Sequence, residues 1–131
     1  RAGMTARIVK ALANPYVHIF AHPTGRLIGE RGPYDVDLEA VFAAAKQFGK
    51  ALEINAQPSR LDLNDHHARR AKELGVRLAI STDTHSLDQL DNMSLGVATA
   101  RRAWIEKADV INTWPLDRLL AWTHKTRPRA A

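Results

Sequence analysis

The chain has 131 residues, 45% of them hydrophobic, which is enough apolar material for one core and too little for two ordinary domains. Its 19 Lys and Arg against 14 Asp and Glu leave a formal charge of +5, favouring anionic partners such as phosphate esters or nucleic acid. The absence of cysteine excludes disulfides, thiolate zinc sites and thiol catalysis, leaving His and carboxylates to hold any metal. No apolar run approaches the ~18 residues of a membrane span and no signal segment opens the chain, so a cytoplasmic protein with no membrane partner is expected. Residue 1 is Arg and not Met, consistent with a fragment of a larger protein.

Met4, Ile8 and Leu12 recur at helical spacing, and Asn14-Pro15 closes that segment because the residue before proline disfavours helical backbone. Val17 to Ala21 then reads as a first strand, ended by His22-Pro23-Thr24-Gly25-Arg26. A helix is expected from Asp35, with Leu38, Val41, Phe42, Ala45 and Phe48 facing inward and Gly49 as its stop. Ala51 to Asn55 is the second strand, followed by the polar loop Ala56 to Leu63 and a helix capped by Asn64 and ended by Gly75. Val76 to Ile80 is the third strand. Ser86-Leu87-Asp88-Gln89 has the form of a capping box for the next helix, which Gly96 would break in two. Val110-Ile111-Asn112 reads as a short fourth strand before Pro115 and a last helix with Leu116, Leu119, Leu120 and Thr123 inward; the tail from Lys125 to Ala131 reads as frayed.

Strand followed by helix, repeated about every ~30 residues, predicts an α/β fold of parallel strands joined by right-handed crossovers. In such folds active-site groups gather at the carboxyl ends of the strands, where His22, Glu53 with Asn55, and Asp83 with His85 all lie. Asp83 and His85, two residues apart beyond the third strand, are expected to point to one side, and with His22 they form a ligand set suited to zinc or manganese. Glu53 and Asn55 share a parity and read as hydrogen-bonding support behind the ligands. Arg26 and Arg60, on the loops, are candidates for contact with a substrate phosphate. The adjacent His66-His67 diverges by about 100° on a helix and reads as surface, His18 and His124 have no evident partners, and Trp104, Trp114 and Trp122 read as packing residues.

His22-Pro23-Thr24-Gly25-Arg26-Leu27, Glu53-Ile54-Asn55-Ala56-Gln57-Pro58-Ser59-Arg60-Leu61-Asp62-Leu63 and Ser81-Thr82-Asp83-Thr84-His85-Ser86 resemble the later motifs of the polymerase-and-histidinol-phosphatase (PHP) domain. The variant they most resemble is that of bacterial family X DNA polymerases, with similarity running from about Met4 to Trp122. The resemblance implies a distorted (βα)7 barrel with up to three divalent metal ions at the strand ends, hydrolysing phosphoesters. His22, Asp83 and His85 match metal-binding positions, whereas Glu53 matches a strand residue not held to be a direct ligand. The family's opening His-x-His pair, its bridging acidic residue and another His lie upstream of anything here, so residues 1-131 read as the C-terminal part of a single PHP domain.

The expected function is therefore a metal-dependent phosphoesterase acting on DNA 3′ ends as a 3′→5′ exonuclease. The alternatives are a free-standing phosphatase for a small monoester and, from another class, a non-catalytic structural or DNA-docking module. Half a barrel leaves open edges, so pairing with the missing N-terminal half or with another copy of the chain is expected.

Overall fold

The computed structural model describes residues 1–125, so the tail beyond Lys125 falls outside the described residues. Helix α1 (Ala2–Leu12) leads to strand β1 (Ile19–Phe20), then α2 (Leu38–Gln47), β2 (Ala51–Asn55), α3 (Asp65–Glu73), β3 (Arg77–Ser81), α4 (Met93–Arg102) and α5 (Leu116–Lys125). Short 3-10 turns at Leu87–Asn92, Lys107–Asp109 and Ile111–Thr113 fill the later connections. The three strands form one parallel sheet in the order β1-β2-β3, with Phe20 opposite Leu52 and Asn55 opposite Ser81.

Alternation along the strands sorts the sheet into two unlike faces. Leu52 and Ile54 of β2 and Leu78 and Ile80 of β3 point into the main core, beneath Ile8, Leu12, Val41, Phe42, Ala68, Ala71 and Ala100 from α1 to α4. Complete burial of each such Leu, Ile or Phe stabilises the fold by about 1.5–3 kcal/mol relative to exposure. The opposite face carries Ala51 and Ala79 at its lower end, covered by Ile111, Trp114 and Trp122. The alternation puts Glu53, Asn55 and Ser81 on that same face, toward the carboxyl end. Strand β2 is buried along its whole length because it is central and covered on both sides.

Local signals set the helix boundaries. Asp37, not Asp35, caps α2, its Oδ1 accepting the Ala40 N–H at 3.2 Å, and Asn64 caps α3 by accepting the His67 N–H at 2.9 Å. Ser86 makes no side-chain cap; Gln89, the partner expected for a capping box, instead accepts the N–H of His85 at 2.8 Å. Gly96 does not break α4. It lies buried where the helix crosses the sheet, and an added Cβ would stand 2.6 Å from Ile80 Cγ2 and 2.9 Å from Ala56 Cβ.

Two expected strands are reduced. Strand β1 keeps only Ile19 and Phe20, because His22 adopts a left-handed backbone (φ +30°) ahead of Pro23 and turns the chain off the sheet. The fourth strand shrinks to a single parallel bridge between Leu78 and Val110. There the Asn112 side chain replaces a strand neighbour: its Oδ1 accepts the Ile80 N–H and its Nδ2 donates to the Ile80 carbonyl, both at 2.8 Å. Leu116 and Leu120 are exposed rather than inward, because α5 meets the sheet face through Trp122.

The loops at the carboxyl edge are tied by Asp62, which is fully buried. Its Oδ2 accepts the N–H groups of Thr24 and Gly25, each at 2.9 Å. Gly25 (φ +64°) is required there, since a Cβ would stand 2.4 Å from the Tyr34 ring. Burial raises the Asp62 carboxyl above its ordinary 3.8, against the lowering effect of the Thr24 and Gly25 hydrogen bonds and of Arg26.

Gly96→Ala forces α4 away from Ile80 and Ala56 and is expected to lower the unfolding free energy in urea melts despite the helix-propensity gain of about 1 kcal/mol, because overpacking costs about 1–3 kcal/mol. Gly3→Ala, where nothing stands within 4 Å of the new Cβ, is expected to raise it by a few tenths to about 1 kcal/mol. For Asp62, a folded-state pKa above the unfolded one means a stability contribution present in full below about pH 3.8 and lost as pH rises through the folded value. The stability difference between wild type and Asp62→Asn is therefore expected to move against wild type as pH is raised from about 3 and then level off; a flat difference would remove the buried-carboxyl account.

Candidate functional site

The polar end of the inner sheet face is a continuous hydrogen-bonded chain across three strand ends. Glu53, buried in β2, accepts the backbone N–H of His22 through Oε2 at 2.5 Å and the hydroxyl of Ser81 through Oε1. Asn55, at the end of β2, donates one amide hydrogen to Glu53 Oε2 (3.2 Å) and the other to Asp83 Oδ2 (3.0 Å). Its Oδ1 accepts the N–H of Gln57 at 3.0 Å, which leaves the Asn55 amide engaged on both sides. Glu53 and Asn55 thus brace the His22 backbone and the Asp83 carboxylate.

His22 and Asp83 both hold left-handed backbone, at φ +30° and +52°, an uncommon state for residues other than glycine and one that a packed surround must enforce. For Asp83 that surround is Asn55 on its carboxylate and Gln57, whose Nε2 donates to its carbonyl at 3.0 Å. The turn has a consequence for His85. Strand β3 ends at Ser81, so the period of two does not carry through to residues 83 and 85. The His85 ring is exposed and folds back, its Nδ1 within 2.6 Å of the Asp83 carbonyl oxygen. A carbonyl only accepts, so Nδ1 carries a proton, and in the neutral ring Nε2 is then the nitrogen with the lone pair, the arrangement usual for a metal-binding imidazole.

The loop arginines divide. Arg26 serves as a brace and not as a free phosphate contact: its Nε donates to the Arg60 carbonyl at 2.7 Å and its Nη2 to the Leu61 carbonyl. Arg60 faces the site, its Nε 3.6 Å from Asp83 Oδ2. Asp62, Gln57 and Ser81 are site-building residues that the sequence reading did not single out. For Ser81 a signal was present, since the register sets it opposite Asn55 on the face that carries Glu53.

Other candidates fall away from this rim. His66 is exposed, whereas His67 is half-buried, where burial lowers its pKa against the raising effect of Asp62. His18 has partners after all, its Nε2 donating to the Thr123 carbonyl at 3.0 Å and its ring meeting the edge of Trp122. His124 is exposed. Trp114 and Trp122 pack edge to face, while Trp104 is exposed beneath the Arg69 guanidinium at 3.8 Å.

As donors, His22, Asp83 and His85 are the types that zinc and manganese take, and the free Nε2 of His85 is correctly prepared. Among the described residues, however, no three His, Asp or Glu side chains stand close enough together to hold an ion, because the His85 ring lies outside and Asp83 is turned to Asn55 and Arg60.

No family model matches the chain. It is 47% identical over 106 residues to the DNA polymerase/3′-5′ exonuclease PolX of Bacillus subtilis, covering 81% of this chain and 19% of that protein. It is 33% identical over 115 residues to a probable phosphatase of Thermoanaerobacter sp., covering 83% of this chain and 44% of the relative, and 32% identical over 126 residues to a probable phosphatase of Shewanella sp., covering 92% and 44%. The chain spans less than half the length of each of these relatives. Together with the three motifs at the strand ends, these matches are consistent with a PHP-domain fragment similar to that of bacterial family X DNA polymerases.

Proposed function

We propose that the protein carrying this chain is a metal-dependent phosphodiesterase that processes DNA 3′ ends as a 3′→5′ exonuclease, and that the chain forms the second half of its distorted barrel. The observation that carries the reading is the hydrogen-bonded chain from the His22 backbone through Glu53 and Asn55 to Asp83, which holds two candidate ligands beyond the carboxyl ends of β1 and β3, on either side of the central β2. The 47%-identical relative named as a 3′-5′ exonuclease supports the choice of DNA over a small ester. The relatives named as phosphatases favour a second reading, hydrolysis of a small phosphate monoester at the same rim.

In this proposal His22, Asp83 and His85 supply part of the ligand set for zinc or manganese, and the upstream half of the barrel, or another copy of the chain, supplies the rest. The bound ions would activate water and offset charge on the phosphoryl oxygens. The chain's own residues prepare that site: Glu53 and Asn55 fix the direction of the Asp83 carboxylate, and the Asp83 carbonyl fixes the tautomer of His85. Arg60, within 3.6 Å of Asp83, is placed to meet a phosphate oxygen bound at the rim.

In the full-length protein, Asp83→Asn and His85→Ala are each expected to abolish 3′-end hydrolysis together with loss of metal by elemental analysis. Asn55→Ala is expected to be milder, weakening metal affinity by about 10–100-fold while the ligands remain. Wild-type nuclease rates in Asp83→Asn would move the assignment to a non-catalytic docking module, and activity confined to small monoesters would favour the phosphatase reading.

A further inference from the structure

Next to His22 lies a pocket of about 430 Å³ bordered by Phe20, Gly25, Arg31, Tyr34 and Arg60. Among the described residues that line it, two are arginines and none is acidic. Its volume is that of an ordinary small-ligand site. Its walls are held from several directions. The Tyr34 ring lies against Gly25, where no Cβ intervenes, and its hydroxyl donates to the Pro23 carbonyl at 2.6 Å. Arg31 stands at the foot of a tight loop closed by two backbone hydrogen bonds with Leu27, and its Nε donates to the Gly25 carbonyl at 3.2 Å. That loop is stapled to the loop bearing Arg60 by the Ile28 N–H donating to the Ser59 carbonyl at 2.7 Å and by the Arg26 guanidinium described above. The two arginines are therefore set on mutually fixed loops; Arg60 places its Nε 3.6 Å from Asp83 Oδ2 and donates from Nη1 to the Arg26 carbonyl at 3.5 Å, and both arginines retain guanidinium N–H groups beyond these contacts.

We infer that this pocket is a subsite for a nucleoside 5′-monophosphate unit, its phosphate received by Arg31 and Arg60 and its nucleoside lying along Phe20 and Tyr34. A fixed pair of arginines suits a compact dianion, Arg31 with no acidic partner in the pocket lining and Arg60 with Asp83 Oδ2 3.6 Å from its Nε alone, and the aromatic wall suits a planar base. The inference deepens the reading above: water attack on the terminal phosphodiester breaks the P–O3′ bond, giving the shortened strand a 3′-hydroxyl and leaving the phosphate on the released nucleoside 5′-monophosphate. Such a product must leave from beside the site, and the pocket adjoins His22. Arg31, which sequence reading did not single out, replaces Arg26 as the partner of Arg60 in phosphate contact.

The test is calorimetric titration of the full-length protein in chelator with deoxyadenosine 5′-monophosphate, deoxyadenosine and inorganic phosphate. The monophosphate is expected to bind more tightly than either part, with affinity falling as salt rises. Arg31→Gln is expected to weaken it by about tenfold and Arg31→Lys to restore part of that loss although neither variant keeps the Arg31 Nε bond to the Gly25 carbonyl, which separates phosphate contact from loop support. Arg60→Gln is expected to act in the same direction. Monophosphate binding in Arg31→Gln equal to that of wild type would overturn the subsite, even if 3′-end hydrolysis proceeds. Conversely, loss of binding in Arg31→Gln by a protein that hydrolyses no phosphodiester would uphold the subsite and overturn the exonuclease reading.

Discussion

The carboxyl group of Glu53 is the point on which the candidate site depends. Placing it inside the central strand removes it from water, a cost of several kcal/mol for such a group unless its oxygens are satisfied. Three donors from three different strands or strand ends satisfy it: the His22 backbone, the Ser81 hydroxyl and the Asn55 amide. Each has to be in place for the carboxyl to be tolerated, so the same group that is expensive to bury also specifies where β1 stops, how β3 registers against β2 and where Asn55 points. Because Asn55 then uses its second amide hydrogen on Asp83, the requirement is passed on to the residue best suited to hold a cation.

A second buried carboxyl, that of Asp62, does for the loops what Glu53 does for the strands. It gathers the backbone of Thr24 and Gly25, while Arg26 reaches across to the carbonyls of Arg60 and Leu61. The two loops become one body, stapled again between Ile28 and Ser59. Rigid loops at the carboxyl edge of a parallel sheet let ligand-facing side chains be positioned by the scaffold instead of by the ligand. Here that rigidity governs Arg31, Arg60 and Tyr34, which border the pocket beside His22.

The sheet is also unequal in how it is finished. The face toward α1–α4 is a continuous apolar core, whereas the other face has apolar cover from Ile111, Trp114 and Trp122 at its lower end and the buried polar groups of Glu53 and Asn55 toward its carboxyl end. At the β3 edge the amide of Asn112 pairs with both polar groups of Ile80, an inexpensive way of ending a sheet without a further strand. Strand β1 retains an exposed Ile19.

Periodicity and punctuation in the sequence determined much of this protein: the alternation of helix and strand, the cap at Asn64, and the stops at Gly49 and Gly75. These are decided within one or two turns of chain, so local composition suffices to read them. Tertiary structure alone decided the rest. Whether Gly96 breaks a helix or admits close packing depends on Ile80 and Ala56, which are distant in sequence. Whether Arg26 meets a phosphate or a backbone carbonyl depends on a loop some 34 residues away. Asp83 and His85 fail to share a direction because the strand ends at Ser81 and Asp83 turns left-handed, a state enforced by hydrogen bonds from Asn55 and Gln57. Hydrogen-bond satisfaction of buried groups is settled by whatever the fold brings within 3 Å, and no spacing within a single motif carries that information.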